Sequence, residues 1–267
     1  TQLYNTYNTD SSVVNTVTWW NDGFYIGTDN GLYVSKDENT NTKGRCITPV
    51  IDALNGVRIR CIKEDSKGNL WICTSGAGVY KLTIDGGVKK YDKSNGLNGE
   101  LYRTVTELSD NTILVAGDSG MSFIKDDDSV YNIGTQMINS KVLCTLQADD
   151  KTIFAGTDGN GIEVIRDGVI VGNFGKNEGL SSEVILRMVE DSSGDGIFIV
   201  TSNSICYMDK TQNIRVLKNF PYYNNYDIVN GKDDMLFVLS SAGIFVVDEK
   251  KMMYGDDVEY SLSLINI

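Results

Sequence analysis

Two stretches decide the fold: FYIGTDNGLYV from Phe24 to Val34, and LWICTSGAGVYKL from Leu70 to Leu82. Each is an apolar run, a small residue, a hydroxyl, a turn of Gly, Asp, Ser or Asn, and a second apolar run, which reads as a β-hairpin. Four looser copies follow: ILVAGDSGMSFI from Ile113, IFAGTDGNGIEVI from Ile153, IFIVTSNSICYM from Ile197 and LFVLSSAGIFVV from Leu236. Aligned on the residue before the hydroxyl or Gly, the copies fall at Gly27, Cys73, Ala116, Gly156, Val200 and Leu239, at steps of 46, 43, 40, 44 and 39 residues. A period of about 42 residues built from short strands is the pattern of β-propeller blades.

Working outward from the second copy, Val57 to Glu64 reads as a first strand and Asp65 to Asn69 as a hairpin. Leu70 to Thr74, Gly78 to Ile84 and the segment through Tyr91 read as the remaining three strands. The loop Asn95-Gly96-Leu97 then feeds the next blade, as do Gly179-Leu180-Ser181-Ser182 and Ala53 to Gly56; the Gly makes the turn and the Leu plugs the junction between blades. No stretch of a dozen residues has a helical apolar face. The expected fold is all-β: a single propeller domain over residues 1–267 with six four-stranded blades, either a closed six-bladed ring or part of a seven-bladed one. Leu3 to Asn5 and Tyr260 to Ile267 both resemble fourth strands, and the opening TQLYNTYNTD reads as the middle of a repeat, so a segment of a longer protein is expected.

Composition removes several functions. The chain of 267 residues has a net charge of -12, and none of its 24 basic residues forms a run longer than two, which argues against a nucleic-acid groove. It has no histidine, so the commonest general base and metal ligand is missing. Its five cysteines, Cys46, Cys61, Cys73, Cys144 and Cys206, show no C-x-x-C spacing, and the last four lie in apolar runs as small hydrophobes. Neither Asp158–Gly161 nor Asp191–Gly196 has the alternating ligands and terminal acid of a calcium loop. No metal and no cofactor are expected. No run reaches the length of about 20 apolar residues that spans a bilayer, so membrane attachment would come only through segments outside this chain.

The run from Ile59 to Leu82 resembles the two-component regulator propeller repeat. Ile62, Glu64, Asp65, Gly68, Leu70, Trp71, Ile72, Thr74, Gly78 and Tyr80 match its pattern, while Cys73 replaces the usual Gly. The first copy keeps Tyr25 to Thr28 and Gly31 to Tyr33; the fifth keeps Gly179 to Ser182, Glu190 and Asp191 but loses the Trp. The resemblance implies an extracytoplasmic, non-catalytic sensory region of a membrane-bound bacterial regulator. Such regions pass a ligand signal to a kinase or cyclase and work as a homodimer in the full-length receptor; small-molecule or oligosaccharide ligands are implied. It transfers no site residue, since the repeat residues are packing positions.

Candidate ligand residues come instead from the loops between second and third strands and between blades, which share one face. Asp29, Asp118, Asp158 and Asn203 lie on the former, and Tyr222, Tyr223, Asn224 and Tyr226 on an inter-blade loop that is either a stacking or contact surface or the cover of a blade junction. Carboxylates, amides and aromatic rings suit sugar recognition, although Asn, Asp and Ser are also the ordinary residues of turns. Arg58, Arg60, Arg103 and Arg187 fall on first strands, where each either binds a carboxylate ligand or pairs with an acid such as Glu64, Glu107 or Glu190. Two other function classes stay open on sequence: a polysaccharide lyase or carboxylate-dependent glycosidase, and a protein-interaction spacer.

Overall fold

The repeat folds as the hairpin pattern requires. The structure, a computed structural model, describes residues 12–35, 52–134, 138, 140–218, 220, 224–254 and 260–263. They form six antiparallel sheets in chain order, the blades of an all-β propeller fold. The chain divides into two compact units, Thr1–Thr135 and Gln136–Ile267, with three blades in each.

In the first unit the blades are β1 (Val14–Trp20), β2 (Gly23–Thr28) and β3 (Gly31–Ser35); β4 (Ile59–Glu64), β5 (Leu70–Thr74), β6 (Val79–Leu82) and β7 (Val88–Tyr91); and β8 (Tyr102–Glu107), β9 (Ile113–Gly117), β10 (Gly120–Ile124) and β11 (Val130–Gly134). In the second they are β12 (Val142–Gln147), β13 (Ile153–Thr157), β14 (Ile162–Arg166) and β15 (Val169–Phe174); β16 (Ile185–Glu190), β17 (Gly196–Thr201), β18 (Ile205–Asp209) and β19 (Ile214–Val216); and β20 (Asn225–Asn230), β21 (Met235–Ser240), β22 (Gly243–Asp248) and β23 (Tyr260–Ser263). A short helix, α1 (Glu249–Tyr254), follows β22. Within each unit the first strands of successive blades adjoin one another.

The core lies between neighbouring blades because second strands are apolar on both faces. β5, β9, β13 and β17 are buried along their whole length. The inter-blade leucines plug the junctions as expected: Leu54, Leu97 and Leu180 are buried. Gly179, in the left-handed region at φ 111°, precedes the last of these, and a Cβ there would stand 2.4 Å from the Ile214 carbonyl oxygen. Trp20 is buried and donates its indole N–H to the Gly68 carbonyl at 2.8 Å, while Trp19 faces out, as strand alternation requires. Cys61, Cys73, Cys144 and Cys206 are free thiols, and burial pushes Cys144 up to about 12; Cys46 lies outside the described residues.

The Glu-Asp-x-x-Gly-x-Leu-Trp signature has a physical basis. Asp65, buried at the hairpin, accepts from the Trp71 indole at 2.8 Å, from the Asn69 backbone at 2.8 Å and from the Lys67 backbone at 3.0 Å. Burial alone would raise its pKa; the bonds from Trp71, Asn69 and Lys67 prevail and hold it below the ordinary carboxylate value. The fifth blade, which lacks the Trp, keeps the acid and finds another donor: the Tyr207 hydroxyl on the third strand donates to Asp191 at 2.6 Å.

Two measurements check these points. Asp65 is held below its unfolded value of about 3.9, so its contribution is complete above that pH and is lost as pH falls through the folded value. Asp65→Asn therefore lowers unfolding stability at pH 7 and flattens its decline on acidification; an unchanged acid slope in urea titrations would contradict this. Phe198, fully buried, and Phe237, 41% exposed, occupy equivalent positions on β17 and β21. Phe198→Ala should cost about 3–5 kcal/mol and Phe237→Ala less than about half of that, by the same denaturation assay.

Candidate functional site

Each first strand carries one residue more than its partner. The register of pairing slips between Val14 and Thr16, Ile59 and Cys61, Tyr102 and Thr104, Val142 and Cys144, Ile185 and Arg187, and Asn225 and Asp227. Asn15, Arg60, Arg103, Leu143, Leu186 and Tyr226 are thus bulge residues, and a bulge turns its side chain out of the ladder. In every blade the bulge is closed by one further bond. The backbone N–H of the residue opening the second-to-third loop donates to the carbonyl two positions before the bulge: Asp29 to Val13, Ser75 to Arg58 and Asp118 to Leu101 in the first unit, and Asp158 to Lys141, Ser202 to Val184 and Ser241 to Asn224 in the second, at 2.9–3.2 Å. This joins the loop residue and the bulge residue at one end of each blade.

In the first unit these pairs carry charge. Asn15 donates to Asp29 Oδ1 at 2.8 Å, Arg103 Nε to Asp118 Oδ1 at 2.6 Å, and Arg60 Nε to the Ser75 hydroxyl at 2.6 Å. Arg58 Nε lies 2.7 Å from Asp29 Oδ1 but without hydrogen-bond alignment. Burial, then the charges of Arg58 and Arg103, lower the Arg60 pKa, against the opposing pull of Asp29 and Asp118. Arg60, held on Ser75, therefore lies within the field of the four other charged groups of this cluster.

The second unit places different chemistry at the same positions. Leu143 and Leu186 are half-buried and Tyr226 is 51% exposed. Beside the bulge, Arg187 holds Asp227 of the next blade through two bonds, at 2.6 and 2.9 Å. Asp158 is exposed and 4.0 Å from Lys141. Asn203 accepts from Thr201 at 3.1 Å and donates to the Ser181 carbonyl at 3.3 Å, both bonds within the turn and its neighbouring loop. Asn224 is exposed and its carbonyl takes the Ser241 bond. Phe220 belongs to the core, edge-on to Phe245, whereas Tyr222 and Tyr223 lie outside the described residues. A cleft of about 250 Å³ between Ala148, Glu190, Asp195 and Asp209 lies at the other end of these blades, away from the loop face.

Two corrections to the sequence reading follow. The acids that pair with the first-strand arginines are Asp29, Asp118 and Asp227, not Glu64, Glu107 or Glu190. Glu64 and Glu107 close their strands four residues, about 13 Å, beyond Arg60 and Arg103; Glu107 instead accepts from the Ser66 backbone and hydroxyl at 2.7 and 2.6 Å. Sequence reasoning also passed over Asn15, Leu143 and Leu186. All six bulge residues stand 12 to 14 positions before the repeat anchors, a spacing that picks them out only once the slip in register is known.

Comparison with known proteins agrees with this architecture. The fold defines a β-propeller. Residues 53–76 match the family model described as two component regulator propeller, so the chain carries that repeat in its second blade. The extracellular domain of BT3049 from B. thetaiotaomicron, described as a hybrid two component system, is similar at a TM-score of 0.72 and 15% identity over 96% of this chain, which spans 35% of that domain. The extracellular domain of BT4673 from the same organism is similar at a TM-score of 0.58 and 16% identity over 95% of this chain and 43% of that one. Catalytically inactive virginiamycin B lyase from Staphylococcus aureus, with quinupristin, gives a TM-score of 0.76 and 16% identity over 99% of this chain and 89% of that one. No curated protein sequence matches the chain.

The inter-blade pair Arg187–Asp227, bidentate and partly exposed, should show a coupling energy of about 1 kcal/mol in a double-mutant cycle, at the upper end for such pairs. It should shrink when ionic strength is raised; a salt-independent coupling would point to packing.

Proposed function

We propose that this propeller is a non-catalytic, ligand-binding sensory domain, the extracytoplasmic part of a bacterial signal-transduction receptor that passes its signal to a membrane-linked kinase or cyclase. The observation that carries the reading is the use made of the loop-face carboxylates. Asp29 and Asp118 on the loops, and Asp227 on the first strand β20, are each engaged by an arginine, which fits a surface organised for recognition. General acid and base catalysis instead needs two carboxylates free to exchange protons. The repeat match at 53–76 and the likeness to extracellular domains of two-component systems support the same role and location.

The lyase is the competing relative. Its catalytically inactive form replaces a histidine by alanine, and the present chain has no histidine. Because the chain spans 35% and 43% of the two sensor domains, the remaining parts of the receptor, its membrane anchor and its output module belong to this proposal and not to the chain described here. A homodimeric receptor is part of the same proposal. The ligand is a small molecule or oligosaccharide held on the loop face, where Tyr226, Asn203 and Asp158 of the second unit are accessible.

A thermal-shift screen against sugars, oligosaccharides, amino acids and peptides tests the reading. A true ligand at a hundred times its Kd should stabilise the fold by about 2.7 kcal/mol, and the recovered ligand should be chemically unchanged by mass spectrometry. Cleavage of an oligosaccharide would support the enzyme instead, and a failure of every class to bind would leave the interaction spacer.

A further inference from the structure

Three arginines of the first unit share two carboxylates. Arg58 is matched with Asp29 and Arg103 with Asp118, but no carboxylate pairs with Arg60 among the described residues. The reason lies in one position of the repeat. The residue that opens the second-to-third loop is Asp29 in the first blade, Asp118 in the third and Asp158 in the fourth, but Ser75 in the second. Arg103 and Arg60 occupy equivalent bulges of adjacent blades, and each turns its Nε to the loop residue of its own blade at 2.6 Å. Arg103 thereby meets a charge and Arg60 meets a hydroxyl.

A half-buried guanidinium without a counter-ion is costly in any protein, and this one sits among two further arginines in a chain of net charge -12. Its Nε is spent on Ser75, and the two terminal nitrogens are a fork that matches a carboxylate. Ser75 is partly exposed and Gly76 beside it is exposed, which leaves the approach open.

We propose that Arg60 is the anion-recognition residue of the first unit, and that the ligand it takes presents a carboxylate to its two terminal nitrogens, supplying the counter-charge that Asp118 supplies to Arg103. The inference rests on the ligand-binding reading above and narrows it to acidic small molecules. Asp29 and Asp118 serve to hold Arg58 and Arg103 aside, so that a single positive charge is offered and polyanions gain nothing from the cluster.

The test is nitrogen-edited NMR of the arginine side chains during titration with sodium acetate and with sodium glucuronate, against sodium chloride at matched ionic strength. In the unmodified protein the Arg60 guanidinium should shift saturably with both acids and not with chloride, and its response should exceed that of Arg58 and Arg103. Arg60→Gln should abolish saturable binding, followed by calorimetry. Ser75→Asp, which installs the carboxylate of the neighbouring blades, should weaken it at least about tenfold with the melting temperature held or raised. Ser75→Asp keeps the test decisive if Arg60→Gln does not fold. Acetate shifts no larger than those from chloride, or undiminished binding by Ser75→Asp, would overturn the inference. A neutral ligand from the thermal screen that binds the unmodified protein and Arg60→Gln equally would also overturn it while leaving the sensory reading intact.

Discussion

The bond from the opening residue of each second-to-third loop to the carbonyl two residues ahead of the first-strand bulge is the constraint on which the loop end of every blade depends. It recurs in all six blades, from Asp29 to Ser241. A backbone bond can recur in this way because it makes no demand on side chains: the loop position is Asp, Ser, Asp, Asp, Ser and Ser along the chain, and the bulge position is Asn, Arg, Arg, Leu, Leu and Tyr. The scaffold is thus fixed by main-chain hydrogen bonds and blade-to-blade apolar packing, and the pair of side chains it brings together is free to vary. Rigid placement with variable chemistry is what a recognition surface requires.

The same separation explains why fold and function divide so cleanly. The repeat residues that match the propeller family fill junctions, as Leu70, Trp71 and Tyr80 do, or satisfy a hairpin, as Asp65 does for Trp71. Where the fifth blade loses the indole, Tyr207 restores the bond from a different strand, so what is kept is a buried carboxylate with enough donors and not a particular residue. Likeness to an extracellular domain of a two component system and to a lyase at similar TM-scores follows from this: the shared part is the packing, and the chemistry lies in positions the packing does not specify.

The blades could be read from the sequence because second strands are continuous apolar runs bounded by Gly, Asn and Asp, and the inter-blade leucines because a Gly precedes them. The bulges could not be read in the same way. One inserted residue shifts the alternation by a single step, and in a first strand such as IRCIKE or YRTVTE both phases look acceptable. The arginine partners are hidden for that reason: the strand alone leads to Glu64 and Glu107, whereas the bulge turns the side chain towards the adjoining loop. Tyr226 was singled out for its aromatic neighbours, yet its position in the fold is the bulge it shares with Arg60 and Arg103.

The two units spend the bulge differently, and electrostatics account for the difference within each. In the second unit Leu143 and Leu186 carry no charge, so Arg187, one residue beyond the bulge, bridges to Asp227 on the next blade and becomes a structural tie. In the first unit two of the three bulge residues, Arg60 and Arg103, are charged, and each turns to the loop residue of its own blade. Two of the three positions are met by aspartates, held by Asn15 and Arg103; the third offers only the Ser75 hydroxyl. A desolvated guanidinium gains more from a carboxylate than from a neutral hydroxyl, so replacing one loop acid by serine converts a self-satisfied ion pair into a vacancy of defined charge and direction.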